Sequence, residues 1–193
     1  MSDLRAVALS PQLAAAWTDL FVACESGCYC RYWHFTGAKN EWLLRLATHP
    51  EDNRDEQLAR LDAGDGEARG IIAMEGDLAV GWMKLTPRSS VPKLAGLPVY
   101  RSLPLGDDGG VYSVGCLLVR PSHRGRGVAR VLIEGASVIA ARWGARTLEA
   151  YPRRGDGALR PDELWMGPLS LFEQCGFRPF SGEGPYPVLR KAL

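Results

Sequence analysis

The stretch from residue 110 to residue 152 constrains the fold more than any other part of the chain. It begins with an apolar run, GVYSVGCLLV (110–119), that is typical of a central strand. Helical periodicity follows in RGRGVARVLIEGASVIAARWG (124–144), which ends on a glycine, a common helix stop. TLEAYP (147–152) is then a second short strand. This order predicts a βαβ unit with parallel strands, and therefore a fold of the α/β (α+β) class.

The rest of the chain predicts further helices and an antiparallel hairpin. The hairpin comprises ARGIIAME (68–75) and LAVGWMKLTP (78–87), joined by a tight turn. Residues 88–110 are rich in proline and glycine and predict a loop with one helical turn, and 153–163 predict another loop. The other predicted elements are helices at 11–25, at 40–61 with an interruption at Pro50, and at 168–175, and a final strand at 185–193.

Composition places the chain among globular proteins and excludes several partners. With 193 residues, 46% of them hydrophobic and 23% charged, it is expected to fold as a single domain over residues 1–193. A net charge of +1 gives no general attraction to nucleic acid or to an anionic membrane. The N-terminus lacks the apolar core of a secretion signal, and the five cysteines suit reduced thiols, so a cytoplasmic location is expected.

Charge is nevertheless unevenly distributed along the chain. Residues 1–100 contain 10 basic and 13 acidic side chains, whereas residues 101–193 contain 13 basic and 9 acidic ones. An anionic ligand would therefore bind to the second part of the chain.

The turn before the long predicted helix has the properties of a phosphate-binding site. Gly125 and Gly127 allow a ligand to approach the backbone, and the helix that follows directs its free N–H groups and its positive dipole end toward that ligand. Arginines flank the turn at 120, 124, 126 and 130. Two alternatives remain: a plain tight turn with solvated arginines, or a dinucleotide-binding GxGxxG turn. Against the latter, Arg130 occupies the third small position.

The same turn resembles a known family signature. Arg124, Gly127 and Ala129 spell RxxGxA, which is similar to the Q/RxxGxG/A motif of the GCN5-related N-acetyltransferases (GNAT), and it follows a strand ending in VxP (119–121) as in that family. The order of helices and strands and the GF pair at 176–177 are also similar. The resemblance implies the GNAT acyltransferase fold, in which helices flank a mixed, mostly antiparallel central sheet.

Membership would imply acetyl-CoA as the acyl donor. In the family, backbone amides of the turn bind the pyrophosphate, and the preceding strand pairs with the pantetheine arm. The corresponding residues here are Leu117, Leu118, Val119, Arg124, Gly125, Arg126, Gly127, Val128, Ala129 and Arg130.

The chain departs from the family in the residue that commonly protonates the departing CoA thiolate. Many members place a tyrosine in a pattern resembling LYxxxGF, but LFEQCGF has Phe172 at that position, and Trp165 stands where an asparagine is often found. Other candidates are needed for the acid and base of direct amine attack. Tyr151 and Glu149 lie on one face of the predicted strand by period two, and Cys116 is a third candidate.

An unusual segment, CESGCYCRYWHF (24–35), contains three cysteines, four aromatic residues and a histidine. Zinc ligation is not expected, because the CxC spacing does not match structural zinc sites and no second pair completes one. The corresponding segment of related acetyltransferases often lines the acceptor pocket. The resemblance thus implies acceptor contacts from Tyr29, Tyr32, Trp33 and His34, which would suit a flat or cationic acceptor.

These observations predict an N-acetyltransferase that moves an acetyl group from acetyl-CoA to a primary amine of a small-molecule or peptide acceptor. Because the usual acid is missing, an inactive acyl-CoA-binding sensor or partner module is the alternative. Family members are often homodimers, and the resemblance extends that expectation to this chain.

Overall fold

A mixed β-sheet forms the centre of the molecule. The computed structural model describes residues 3–101, 104–154, 164–181 and 185–193. Within these ranges the sheet has seven strands in the order β1-β2-β3-β4-β5-β7-β6, and only β4 and β5 pair in parallel. The strands are β1 (Leu4–Ala8), β2 (Gly70–Glu75), β3 (Leu78–Pro87), β4 (Val111–Val119), β5 (Thr147–Ala150), β6 (Arg178–Ser181) and β7 (Val188–Ala192).

Helices cover both faces of this sheet. They are α1 (Ala14–Ala23), α2 (Lys39–Thr48), α3 (Pro50–Asp62), α4 (Pro92–Gly96), α5 (Pro98–Arg101), α6 (Val128–Arg142) and α7 (Leu169–Gln174). On one face, α6 packs against β1 to β4. On the other face, α1 contributes Trp17, Leu20 and Phe21 to a second apolar cluster around Trp82. None of the helices within the described ranges is long and apolar enough to cross a membrane.

Most predicted elements are confirmed, and the differences have physical causes. The hairpin, the βαβ unit, the break at Pro50 and the final strand all form where they are expected. The sequence analysis missed β1 and β6, the two edge strands; β6 is largely exposed and contains Pro179, which obscures a strand pattern. The region 88–110, predicted as a loop with one helical turn, contains two short helices, α4 and α5. Of the loop predicted at 153–163, residues 155–163 lie outside the described residues.

The two parallel strands part soon after they pair. Contact between β4 and β5 is limited to Val111–Ser113 and Thr147–Glu149, after which β4 continues along β3 while β5 ends. A register shift opposite Met83–Leu85 places Gly115 and Cys116 in a bulge of β4. An open edge therefore extends along the second half of β4, on the side away from β3.

Candidate functional site

The turn that leads into α6 has the backbone geometry expected of an anion site. Gly125 and Gly127 have φ angles of +72° and +82°, a region that favours glycine. A Cβ at either position would meet nothing within 4 Å, so the turn is open on its outer side. The helix itself begins at Val128, four residues later than the periodicity suggested, because the two glycines form the turn instead of the first helical residues. The free N–H groups of the first helical turn and the positive end of the dipole therefore lie at this turn.

The four arginines around the turn do not share one environment. Arg124 lines the cleft beside β4, and its Nε lies 3.4 Å from the carbonyl oxygen of Val119. The other three are held by neighbouring side chains: Arg120 by Asp19 at 2.5 Å, Arg126 by Glu75 at 3.2 Å, and Arg130 by Gln174 and by Glu134 at 3.7 Å. Among the predicted arginines, Arg124 is thus the one best placed for a phosphate in the cleft.

A cleft of about 720 Å³ extends from this turn along β4. Its walls include the predicted strand residues Leu117, Leu118 and Val119, the helix residue Ala129, and the segment 164–168 from the opposite side. The backbone N–H of Leu117, which we expected to pair with a ligand, donates instead to the carbonyl oxygen of Trp165 at 2.7 Å. A ligand that paired with this strand edge would have to replace that hydrogen bond.

The family assignment comes from the comparison with family models. The model described as the acetyltransferase (GNAT) family matches residues 19–160. The chain belongs to this family. Comparison with curated proteins gives no match.

Solved structures show the same GNAT fold at low sequence identity. A PaiA N-acetyltransferase from Thermoplasma acidophilum in complex with coenzyme A has a TM-score of 0.57 and 10% identity, and the match covers 99% of each chain. An acetyltransferase from Thermus thermophilus has a TM-score of 0.54 and 19% identity over 100% of both chains. The YncA protein of Salmonella typhimurium with its cofactor acetyl-CoA has a TM-score of 0.54 and 14% identity, over 98% of this chain and 94% of that one.

The surroundings of Glu149 differ from those expected of a catalytic residue, because two arginines bind its carboxylate. Glu149 is fully buried, and Nη1 of Arg88 donates to its two oxygens at 3.0 and 3.2 Å. The guanidinium of Arg190 lies 2.6 Å from the same carboxylate. Both oxygens of this carboxylate are therefore occupied by arginine donors, and neither is free to face an acceptor. The geometry therefore favours a structural role for Glu149, which the sequence analysis named as a candidate for the catalytic acid or base.

Tyr151, which the sequence analysis placed on the same strand face as Glu149, is hydrogen-bonded to it. Its hydroxyl donates to Oε1 of Glu149 at 2.5 Å and lies 2.8 Å from the Oγ of Ser113. Burial and the adjacent negative charge raise the pKa of Tyr151 well above its usual value of 10.0. The phenol therefore keeps its proton at neutral pH and lies at the point where β4 and β5 part.

Cys24, Cys30 and Cys116 lie on the α1 side of the sheet, whereas Cys175 packs in the apolar cluster on the α6 side. Cys116 packs at the edge of the apolar cluster that contains Cys30. The pKa of the Cys30 thiol is raised by burial, and that of Cys28 by its hydrogen bond to Cys30, which disfavours thiolates at both positions. In the part of the chain that the structure describes, no three histidine, cysteine or acidic side chains form a group that could hold a metal ion.

A small cavity of about 10 Å³, with room for roughly one water molecule, lies where the strands part. Two of the four predicted acceptor residues, Trp33 and His34, line it together with Tyr151. Tyr32 packs edge-on against Trp33 at 5.6 Å without lining the cavity. Tyr29 does not reach it: its ring stacks on Phe21 at 4.9 Å, within the α1 cluster.

His34 lines this cavity in its neutral form. Its Nδ1 lies 2.6 Å from the carbonyl oxygen of Ser90, so the proton of the ring resides on Nδ1 and the Nε2 atom is left as an acceptor. Burial, followed by the positive charge of Lys84, lowers the pKa of His34 to about 2. The imidazole is therefore uncharged over the whole physiological range.

Sequence reasoning missed Lys84, the charged residue within the apolar strand β3. Its side chain is 1% exposed and also lines the cavity. Nζ donates to Oε1 of Gln57 at 3.0 Å and to the carbonyl oxygen of Glu67. The signal was present in LAVGWMKLTP, where a lysine occupies a position that alternation assigns to the same face as the buried Trp82.

Proposed function

We propose that the chain is an acetyl-CoA-dependent N-acetyltransferase that acetylates a primary amine of a small-molecule or peptide acceptor. The observation that supports the proposal is that the large cleft and the small cavity lie one after the other along β4. Residues 117–119 line the large cleft, and residues 113–115 line the small cavity. A long donor bound in the cleft would thus end at the cavity. Family membership and the cofactor-bound structures of PaiA and YncA support acetyl-CoA as that donor.

The donor would be held by backbone groups at both ends of the cleft. We assign the pyrophosphate to the N–H groups of the turn from Gly125 to Arg130, where the helix end is positive and no Cβ intrudes. The pantetheine arm would extend along Leu117–Val119 as an added strand and would take over the Leu117 N–H from Trp165. Arg124 would contribute a charge-assisted hydrogen bond to a phosphate oxygen.

We assign Tyr151 the role of the acid that protonates the CoA thiolate. Its hydroxyl is protonated at neutral pH and lies beside the cavity, where the CoA sulfur would leave as a thiolate. Ser113 and Glu149 fix the direction of that hydroxyl. Trp33, stacked on Trp165 at 5.5 Å, forms an aromatic wall suited to a flat or cationic acceptor.

The missing family tyrosine favours a second candidate, an acyl-CoA-binding module without turnover. Phe172, at the position of the usual acid, is fully buried and packs against Phe177 at 5.1 Å, so it serves only the core. Both candidates require the same donor site.

One pair of measurements separates the two candidates. Calorimetry with acetyl-CoA tests the donor site, and a thiol-release assay with ethanolamine, benzylamine, a polyamine and a tetrapeptide tests transfer. We expect binding together with turnover of at least one amine. Binding without turnover would favour the sensor, and absence of binding would refute both. We further propose that the protein is a single domain that acts in the cytoplasm as a homodimer. Light scattering of the purified protein tests the dimer.

A further inference from the structure

Lys84 is a buried amine that the reaction as described leaves unused. It lies on the face of β3 that carries Trp82, and its side chain crosses the bulge of β4. A Cβ on Gly115 would come within 3.0 Å of Cβ and 3.1 Å of Cγ of Lys84, so glycine at this position makes room for the lysine. The amine is thereby held beside the point where β4 and β5 part.

The hydrogen bonds of Nζ match those of a neutral amine. A neutral lysine has two N–H groups and one lone pair. Both N–H groups have partners here, the side-chain oxygen of Gln57 at 3.0 Å and the carbonyl oxygen of Glu67. Both partners are acceptors, and no carboxylate in the described part of the chain hydrogen-bonds to Nζ. The lone pair is the group left over, and Lys84 lines the small cavity at the point where the proposed donor cleft would end.

The surroundings of Nζ disfavour its positive charge. The charged or titratable groups around it are Arg31, Cys30, Cys116, Glu67 and His34. The positive charge of Arg31 is compensated by Glu56 at 2.6 Å and by Glu67 at 3.2 Å, which leaves little negative charge for Lys84. Complete burial is the largest cause, and it lowers the pKa of Lys84 to about 7.

We propose that Lys84 is the general base that deprotonates the acceptor amine, a role that rests on the acetyl transfer proposed above. One proton moves from the acceptor ammonium to Nζ of Lys84. The amine then attacks the thioester carbonyl, so that the C–N bond forms and the C–S bond breaks. Tyr151 protonates the departing sulfur and recovers its proton from the second N–H group, and Lys84 returns its proton to solvent. The products are the amide, free CoA and one released proton, which balances the reaction.

The other groups near the cavity are poorer bases. Glu149 is occupied by Arg88 and Arg190. The low pKa of His34 makes it too weak to hold a proton taken from an ammonium. A base works best when its pKa lies near the working pH, and such catalysis contributes about 10²–10⁴-fold.

The test compares Lys84→Met and Lys84→Gln with the exposed control Lys39→Met. Glutamine retains an N–H donor for the Gln57 oxygen, which protects the fold if the methionine variant is unstable. Each protein is titrated with CoA by calorimetry. Rates are then measured from pH 5.5 to 9 with acetyl-CoA and the four amines named above, and also without amine, because water then serves as the acceptor and has no titration of its own in this range.

We expect both Lys84 variants to bind CoA as the wild type does and to lose about 100-fold or more in turnover. The wild-type rate of acetyl-CoA hydrolysis should rise with pH to a plateau above pH 7, and this rise should disappear in both variants. Lys39→Met should match the wild type throughout.

The outcomes distinguish the two proposals. If CoA does not bind the wild type, the proposed function fails. If CoA binds but the Lys84 variants retain the wild-type rate and pH profile, with an amine or with water, the proposal for Lys84 is wrong while the donor site stands. The proposal for Lys84 is equally wrong if the wild type hydrolyses acetyl-CoA no faster than buffer and transfers to no amine.

Discussion

The glycine turn and the buried polar group around Glu149 differ in how exposed their charged groups are and in whether the hydrogen-bond donors already have partners. At the turn, the arginines are partly exposed, their partners lie at the surface, and a ligand would meet mainly backbone N–H groups. Around Glu149, two arginines and a tyrosine satisfy one carboxylate that has no contact with solvent. The turn therefore leaves backbone donors open to an anion, whereas the donors around Glu149 are already paired and fix the direction of the Tyr151 hydroxyl.

The Glu149→Gln substitution should change stability more than any other substitution considered. Removal of the carboxylate charge leaves the guanidinium groups of Arg88 and Arg190 without their shared counterion, and the loss of a buried partner of this kind costs about 3–5 kcal/mol. Urea unfolding measures the change. Glu134→Gln is the matched control, because Glu134 pairs with Arg130 on the exposed face of α6 and should change stability by less than about 0.5 kcal/mol.

The opposite result would contradict a structural role for Glu149. A Glu149→Gln protein as stable as the wild type, yet inactive, would make Glu149 a catalytic residue, as the sequence first indicated. A loss of stability with CoA affinity retained in the folded fraction supports the structural role.

The second effect is the pH dependence of stability that Lys84 confers. Its pKa is lowered from 10.5 to about 7 in the folded protein, so between these values the unfolded chain binds the extra proton and folding gains stability as pH rises. The gain from pH 7 to pH 9 should be about 2 kcal/mol. Urea unfolding at both pH values measures it in the wild type and in Lys84→Met, where this gain should be absent. If the free energy of unfolding rose equally with pH in the two proteins, Lys84 would not have the lowered pKa of a buried amine.

The third effect concerns the turn itself, tested by Gly127→Ala. Alanine at a φ of +82° is strained by about 1 kcal/mol, and the shifted backbone should lower CoA affinity about tenfold. Gly64→Ala is the control, because Gly64 has a φ of +69°, equally open surroundings and no part in the turn. Both variants should lose similar stability by thermal unfolding, and only Gly127→Ala should lose affinity by calorimetry. Equal CoA affinity in the two would remove the turn from the donor site.

The sequence predicted features whose residues lie close together along the chain and missed those formed by residues far apart in sequence. The turn, α6 and its two strands lie within about 40 consecutive residues, so periodicity and glycine spacing predicted them. Period two placed Tyr151 and Glu149 on one strand face, and the structure joins them by a hydrogen bond. The arginines that hold Glu149 are 61 and 41 residues away, and no local pattern connects them. Alternation along β3 indicated the buried face for Lys84, but it could not identify its partners Gln57 and Glu67, which only the tertiary fold brings beside β3.

The smallest effect should separate two neighbouring arginines of the turn. Arg124 lines the cleft and hydrogen-bonds only to a carbonyl oxygen among the described residues, whereas Arg126 is half exposed and held by Glu75. Exposed charge pairs contribute little, so Arg124→Gln should weaken CoA binding roughly twofold to fivefold at low salt, and Arg126→Gln by less. Calorimetry at two salt concentrations measures both, and because salt screens a surface charge, the gap between the two variants should narrow at high salt. A larger loss in Arg126→Gln would mean that the phosphates lie on the Glu75 side of the turn, outside the cleft along β4.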